Sequence, residues 1–198
     1  MSSGDPETRK RILDKTWHLM EKRKGQGVSV SDIARAAGVS RQAVYLHFPS
    51  RAELLVATVR YADQVNNIDE RLRALNTAAN GPEALEAYVD FWGNYIPEIY
   101  GLAKALLSVR DTDKAAATAW NDRMKVLRQG CREVMNCLIR DGCLAPQWKP
   151  SEAADALWAL TSITVWEDLT RECGWSTSEY LSRMKVALKR TFISDQRR

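Results

Sequence analysis

Apolar residues recur along this chain at intervals of three and four, the spacing of a helix face, and nowhere alternate as in a half-buried strand. Ile12, Leu13, Trp17 and Met20 form the first such stripe. It predicts a helix from Pro6 to Lys24, with proline at the start where its missing N–H costs nothing and Gly25 and Gly27 at the end. Val30, Ile33, Ala34 and Ala37 make a second stripe. Ser29 is placed to cap it, and Asp32, three residues on, supplies the reciprocal partner of a capping box. Gly38 stands where a left-handed turn residue is needed, and Ser40 caps a third, short helix. In that helix Val44 and Phe48 turn inward, leaving Arg41, Gln42, Ala43, Tyr45 and His47 on or near the outside. A fourth helix, capped by Ser50, carries Leu54, Leu55, Thr58 and Val59 and is expected to reach about Leu75. That is longer than a three-helix unit requires, so it is read as a rod leading into the rest of the chain.

Residues 76–81 are a polar break, after which the helical period runs to the end. The pattern predicts a helix over Pro82–Tyr95, an interruption at Pro97, and a shorter helix to Arg110. A long helix follows from Asp113 to Asp141, stopped by Gly142. Residues 144–150, bracketed by prolines, form a loop. Ser151 is expected to cap a helix to Cys173, and a last helix spans Ser176–Phe192 ahead of a mobile basic tail, Arg197–Arg198. The fold class is therefore all-α, with about nine or ten helices in all.

Two short helices joined by a tight turn, the second with polar side chains pointing out, form a helix-turn-helix, whose second helix enters the DNA major groove. Arg41 and Gln42 lie at the N-terminal end of that helix, the end that meets base edges. Arginine can bridge guanine O6 and N7, and glutamine can bridge adenine N6 and N7. Ala43 offers a methyl for close approach or a thymine methyl.

Charge sharpens this picture. Residues 1–60 hold 11 lysines and arginines against 6 acids, whereas the remainder holds 18 against 19. A basic segment on a near-neutral body suits binding to phosphate, although a merely solvated basic face has the same composition. Arg9, Lys10 and Arg11 stay open between phosphate contact and plain surface. The apolar share of 45% and charged share of 27% belong to an ordinary globular protein of one or two small domains. No run is long enough to span a bilayer, and the first seven residues lack the apolar core of a secretory signal, so no membrane partner is expected and the cytoplasm is the expected location. Cys131, Cys137, Cys143 and Cys173 show no paired metal spacing, and the first three, six residues apart, do not share a helix face. With His18 and His47 far away, no metal site is expected. Reduced buried thiols are the first reading and a thiol-oxidation sensor the second.

The tract Ile33-Ala34-x-x-Ala37-Gly38-Val39-Ser40, then Tyr45-x-x-Phe48, then Arg51-x-x-Leu54-Leu55, closely resembles the tetracycline-repressor (TetR) family over residues 6–66. Arg51 stands where the family often has lysine, and Leu46 where it often has a polar residue. The resemblance implies a DNA-binding domain over residues 6–66 and a helical effector-binding and dimerisation domain over 67–198. It implies a repressor released from a palindromic operator when a small molecule binds. It further implies phosphate contacts from Tyr45 and His47, joined by Ser29, Ser40 and Arg51 at helix N-termini; for Tyr45 core packing, and for His47 plain surface, are the alternatives. Ala154, Trp158, Thr161, Ser162, Val165 and Leu169 follow helical spacing with Leu157 and read either as core or, by resemblance, as a homodimer interface. Trp92, Tyr95, Tyr100, Trp120 and Met124 read singly as core and, by resemblance, together as lining an effector pocket. Few charges punctuate these segments, which favours an apolar or weakly polar effector. No cofactor is implied.

Two other classes compete. An enzyme would need a nucleophile beside a base, and both histidines fall in the DNA-reading half. Adjacent carboxylates such as Glu167 and Asp168 diverge on a helix, so no catalytic residues are assigned. A sequence-independent architectural DNA-binding protein would spread positive charge over its whole length rather than its first 60 residues.

Overall fold

Serine and aspartate side chains start most of the helices, in the positions where four backbone N–H groups would otherwise lack acceptors. The computed structural model describes residues 5–68, 70–72 and 77–194. The expected helix end at Leu75 and the tail Arg197–Arg198 lie outside the described residues. Among those described there are nine assigned α-helices and no strand: α1 (Pro6–Lys22), α2 (Val30–Ala37), α3 (Arg41–His47), α4 (Arg51–Val65), α5 (Gly81–Val109), α6 (Lys114–Arg140), α7 (Pro150–Leu160), α8 (Ile163–Glu167) and α9 (Thr177–Phe192). Asp5, Ser29, Ser40, Ser50, Ser162 and Ser176 each accept a backbone N–H at a helix start. Asp113 does the same for α6, accepting from the N–H groups of Ala115 and Ala116 at 3.0 and 3.3 Å.

Four expectations need correction. α4 ends at Val65 rather than near Leu75, because Asn66 caps it and Asn67 turns left-handed at φ +52°, a conformation asparagine tolerates better than most residues. Pro97 does not interrupt α5, which runs through it. Trp92, Tyr95 and Ile96 are buried on one side of it in sequence and Leu102, Ala105 and Leu106 on the other. Burial of that many large side chains outweighs the roughly 3 kcal/mol cost of a mid-helix proline. Ser151 is not a cap. The helix begins earlier, with Pro150 in its first turn and Lys149 at the cap position, where its side chain pairs with Glu152 and caps no backbone N–H. The expected helix to Cys173 is also broken. Thr161 donates its hydroxyl to the Leu157 carbonyl at 2.7 Å, Ser162 turns extended and caps α8, and Asp168–Glu172 continues as a π turn. Hydroxyl side chains that bond the backbone compete with the helix ladder in this way.

The chain forms two compact units: the residues up to Asn66 with Ile99–Met124, and Asn67–Glu98 with the residues from Lys125 onward. In the first, one apolar cluster joins Ile12, Leu13 and Met20 of α1, Ile33, Ala34 and Ala37 of α2, Val44 of α3, Leu54 and Leu55 of α4, Leu102, Ala105 and Leu106 of α5, and Ala116 and Ala119 of α6. Gly25 is buried at φ +77°, and a Cβ there would collide with the Ala105 carbonyl. The chain leaving α1 therefore passes too close to α5 for any side chain.

In the second unit the first half of α5 lies against α9. A Cβ on Gly93 would run into Leu181 and Tyr180, and Lys185 and Lys189 pair with Asp90 and Glu86 at 2.6 and 2.5 Å. The last turn of α9 lies against the loop after α6, where Ala145 donates its N–H to the Phe192 carbonyl at 2.9 Å and the Trp148 indole donates to the Thr191 carbonyl at 2.8 Å.

Candidate nucleic-acid interface

The turn between α2 and α3 is built as its residue types demand. Ser29 accepts from the Asp32 N–H at 3.1 Å while the Asp32 carboxylate accepts from the Ser29 N–H at 3.2 Å. Gly38 sits left-handed at φ +65°, Ser40 accepts from the Ala43 N–H at 3.0 Å, and Val44 and Phe48 close the inner side at 1% and 2% exposure. Arg11 of α1 donates its Nε to the Ala37 carbonyl at 2.8 Å, placing a cation at the C-terminal end of α2 where the helix dipole welcomes it. Arg9 lies over the Phe48 ring. The position of α3 is thus set by a cap, a glycine turn and two apolar anchors.

What remains outside is Arg41, Gln42, Tyr45 and Leu46, all exposed, with Ala43 and His47 half-buried. Arg41 and Gln42 make no hydrogen bond or ion pair among the described residues, so their donors stand free toward solvent. Ser40 accepts at its cap while its own hydroxyl proton is given to no acceptor among the described residues. Leu46, singled out in the sequence as standing where the family often has a polar residue, is given no role there. It is 81% exposed, on the side of α3 opposite Val44, and the period of the helix shows it: two positions on from an inward residue is an outward one.

Ser29 and Arg51 are not free in the same way. The Ser29 hydroxyl donates to the Asp32 carboxylate at 2.6 Å. That bond, with the Ser29 N–H and the Arg23 guanidinium behind it, draws the Asp32 carboxyl down to about 2. The end of α2 therefore already carries its anion. Arg51 donates Nη1 to both oxygens of Asp113 at 2.6 Å and Nε to the Val28 carbonyl at 3.2 Å. Burial pushes the Asp113 carboxyl up, yet the Arg51 bond and the Ala116 N–H prevail and hold it below the usual carboxylate range. Three acidic partners, Asp113 for Arg51, Asp122 for Arg60 and Asp63 for Arg123, lie within this one unit.

The other predicted sites divide. Trp92 and Tyr95 are buried in the second unit, their rings 5.9 Å apart and joined by Tyr88 and Phe91. Tyr100, Trp120 and Met124 belong to the first unit and are half-buried. Of the residues read as a dimer face, Ala154 and Thr161 are buried within the chain, whereas Trp158, Ser162, Val165 and Leu169 are half-buried. Arg128 covers the Trp158 ring at 4.2 Å. Leu160 and Val186, at 39% and 51%, are the exposed large apolar residues of α7 and α9. None of the four cysteines is in a disulfide, and against the expectation of buried thiols only Cys131 is buried, Cys137 and Cys143 being half-buried and Cys173 exposed. Burial pushes the Cys131 thiol up to about 11, so it is a poor thiolate and a poor redox sensor. Among the described residues no cluster could hold a metal ion, and no helix is long and apolar enough to cross a membrane.

Comparison with known proteins converges on this architecture. Residues 12–58 match the family model for bacterial regulatory proteins of the tetR family. The chain is 31% identical over 161 residues to the HTH-type transcriptional regulator AlkX of Mycobacterium tuberculosis, covering 72% of this chain and 75% of that one. It is 29% identical over 169 residues to the HTH-type transcriptional regulator EthR of the same organism, covering 81% and 75%. A crystal structure of a transcriptional regulator from Saccharomonospora viridis in complex with choline shares the fold, with a TM-score of 0.75 at 21% identity over 96% of this chain and 100% of that one. A capped, glycine-turned helix pair with an outward polar α3, carried on an all-helical chain that shares this identity over most of its length, makes the protein a DNA-binding transcriptional regulator of the TetR family.

Proposed function

We propose that this regulator is a repressor that binds a twofold-symmetric operator as a homodimer and leaves it when a small molecule binds the residues beyond the helix-turn-helix. The observation that carries the reading is the outward face of α3, where Arg41 and Gln42 are exposed and unpaired on a helix whose own position is fixed. Each would discriminate its base by about 1–3 kcal/mol. Ser40, Tyr45 and His47 flank that face as phosphate contacts, and Ala43 permits close approach. Ser29 and Arg51, engaged with Asp32 and Asp113, serve the fold first.

One recognition helix spans too few bases to select a site in a genome, which supports a dimer reading two half-sites about 34 Å apart. The half-buried Trp158, Ser162, Val165 and Leu169, with the exposed Leu160 and Val186, support the α7–α9 region as the face where two copies meet. The aromatic cluster of Tyr88, Phe91, Trp92 and Tyr95 supports an apolar or weakly polar effector in the second unit. Such a protein would work in the cytoplasm, beside the DNA.

Selection of bound fragments from a random-sequence duplex pool tests the reading. A palindromic consensus whose half-sites lie one helical turn apart is the expected result. A flat profile, or a protein that stays monomeric both free and on DNA, would refute it.

A further inference from the structure

The side chain that the operator reading leaves unexplained is Leu46. It is 81% exposed, more than any of the other exposed large apolar residues, while Tyr45 beside it is 42% exposed. At 100° per residue, Leu46 and Gln42 each lie about 160° from the buried Val44 around the α3 axis and about 40° from each other. They are therefore the two side chains at the crest of the outward face, one turn apart, and whatever the Gln42 amide touches, Leu46 touches next. On the same short helix Arg41 is exposed and meets no acid among the described residues, so an uncompensated cation stands beside them. A polyanion is the partner that charge selects.

A leucine on a surface that meets DNA has one apolar target among the base edges of the major groove, the C5 methyl of thymine. We propose that Leu46 reads a thymine methyl, making one thymine in each half-site a determinant of operator choice, next to the base pair read by Gln42. This rests on the operator-binding reading above. The chemistry is simple burial: the leucine side chain and the methyl each leave water on contact, while the rest of the thymine edge is left to its own pairing.

The test uses the full-length protein and the duplex recovered by selection from the random pool. Each thymine is replaced in turn by deoxyuridine, which keeps base pairing and removes only the methyl. For the wild type, one uridine per half-site should weaken binding about three- to tenfold, the value expected for losing one or two buried carbon groups. Leu46→Ala should bind the thymine duplex more weakly by a similar factor and show no further loss on the uridine duplex. Because Leu46 is exposed, its thermal unfolding should match the wild type, which separates a contact effect from misfolding.

Two results overturn the inference while leaving operator binding intact. Either no thymine is sensitive to uridine replacement, as when Leu46 lies on deoxyribose, or Leu46→Ala keeps the full thymine effect. Failure of the selection to return any consensus instead overturns the operator reading, and this inference with it.

Discussion

Two sets of arginines in one unit are treated in opposite ways. Arg41, on α3, meets no acid among the described residues and projects to solvent. Arg51, Arg60 and Arg123 are each matched to an aspartate, at 2.6, 3.1 and 3.0 Å. The pairs differ among themselves in exposure: Arg60 is 65% exposed and its pair is worth little, while Arg123 and Asp63 are 13% and 12% exposed. A positive count in the first 60 residues is therefore a poor measure of the charge offered to DNA. Some of that charge is cancelled by acids that arrive from residues 113–122, and Arg41 on α3 is among the cations left unpaired.

The contrast can be broken in order of size. Arg123→Met leaves Asp63 nearly buried without its cation and should cost about 3 kcal/mol, read as a fall in the thermal midpoint. An unchanged midpoint would show that this pair does not hold the unit. Arg41→Ala should cost about 1–3 kcal/mol on the selected operator and almost nothing on random duplex. Equal losses on both would make Arg41 a phosphate contact like any other. Arg51→Gln should lower stability by about 1 kcal/mol while leaving the dependence of DNA binding on salt unchanged. A slope of log affinity against log salt that drops by nearly one would instead assign Arg51 to phosphate.

The smallest effect concerns pH. The Asp32 carboxyl is lowered from 3.8 to about 2 in the fold. A depressed acid stabilises the folded state above its unfolded value and loses that contribution as pH falls through the folded one. The stability difference between wild type and Asp32→Asn should thus be level at neutral pH and vanish between about 3.8 and 2. A difference that persists below that window would detach Asp32 from its capping role.

Local signals carried the DNA-reading half well. Ser29, Asp32, Gly38 and Ser40 act within a few residues of themselves, so their types predict the caps and the turn that the structure contains. The same holds for Gly142, left-handed just past the helix it was expected to stop. Where expectation missed, the deciding partner was distant or the balance too close. Pro97 argues for a break until the buried residues on both sides are known, and Thr161 and Ser162 end α7 by bonds that a run of apolar spacing conceals. Asn66 and Asn67 were a legible stop signal that the longer apolar pattern overrode.

The candidate site divides along the same line. Which side of α3 faces outward follows from its period alone, so the exposure of Gln42 and Leu46 was fixed by residue order. Whether a cation on or near that surface is available was not, because Asp113 lies 62 residues from Arg51 and ion pairing depends on distance through space. The five aromatic and methionine positions read as one pocket are likewise allotted to two units, a grouping that spacing along the chain does not contain. Helix period, caps and turns are short-range properties that residue order determines; charge neutralisation and the sharing of buried aromatics are set by which helices meet, and only the tertiary structure decides that.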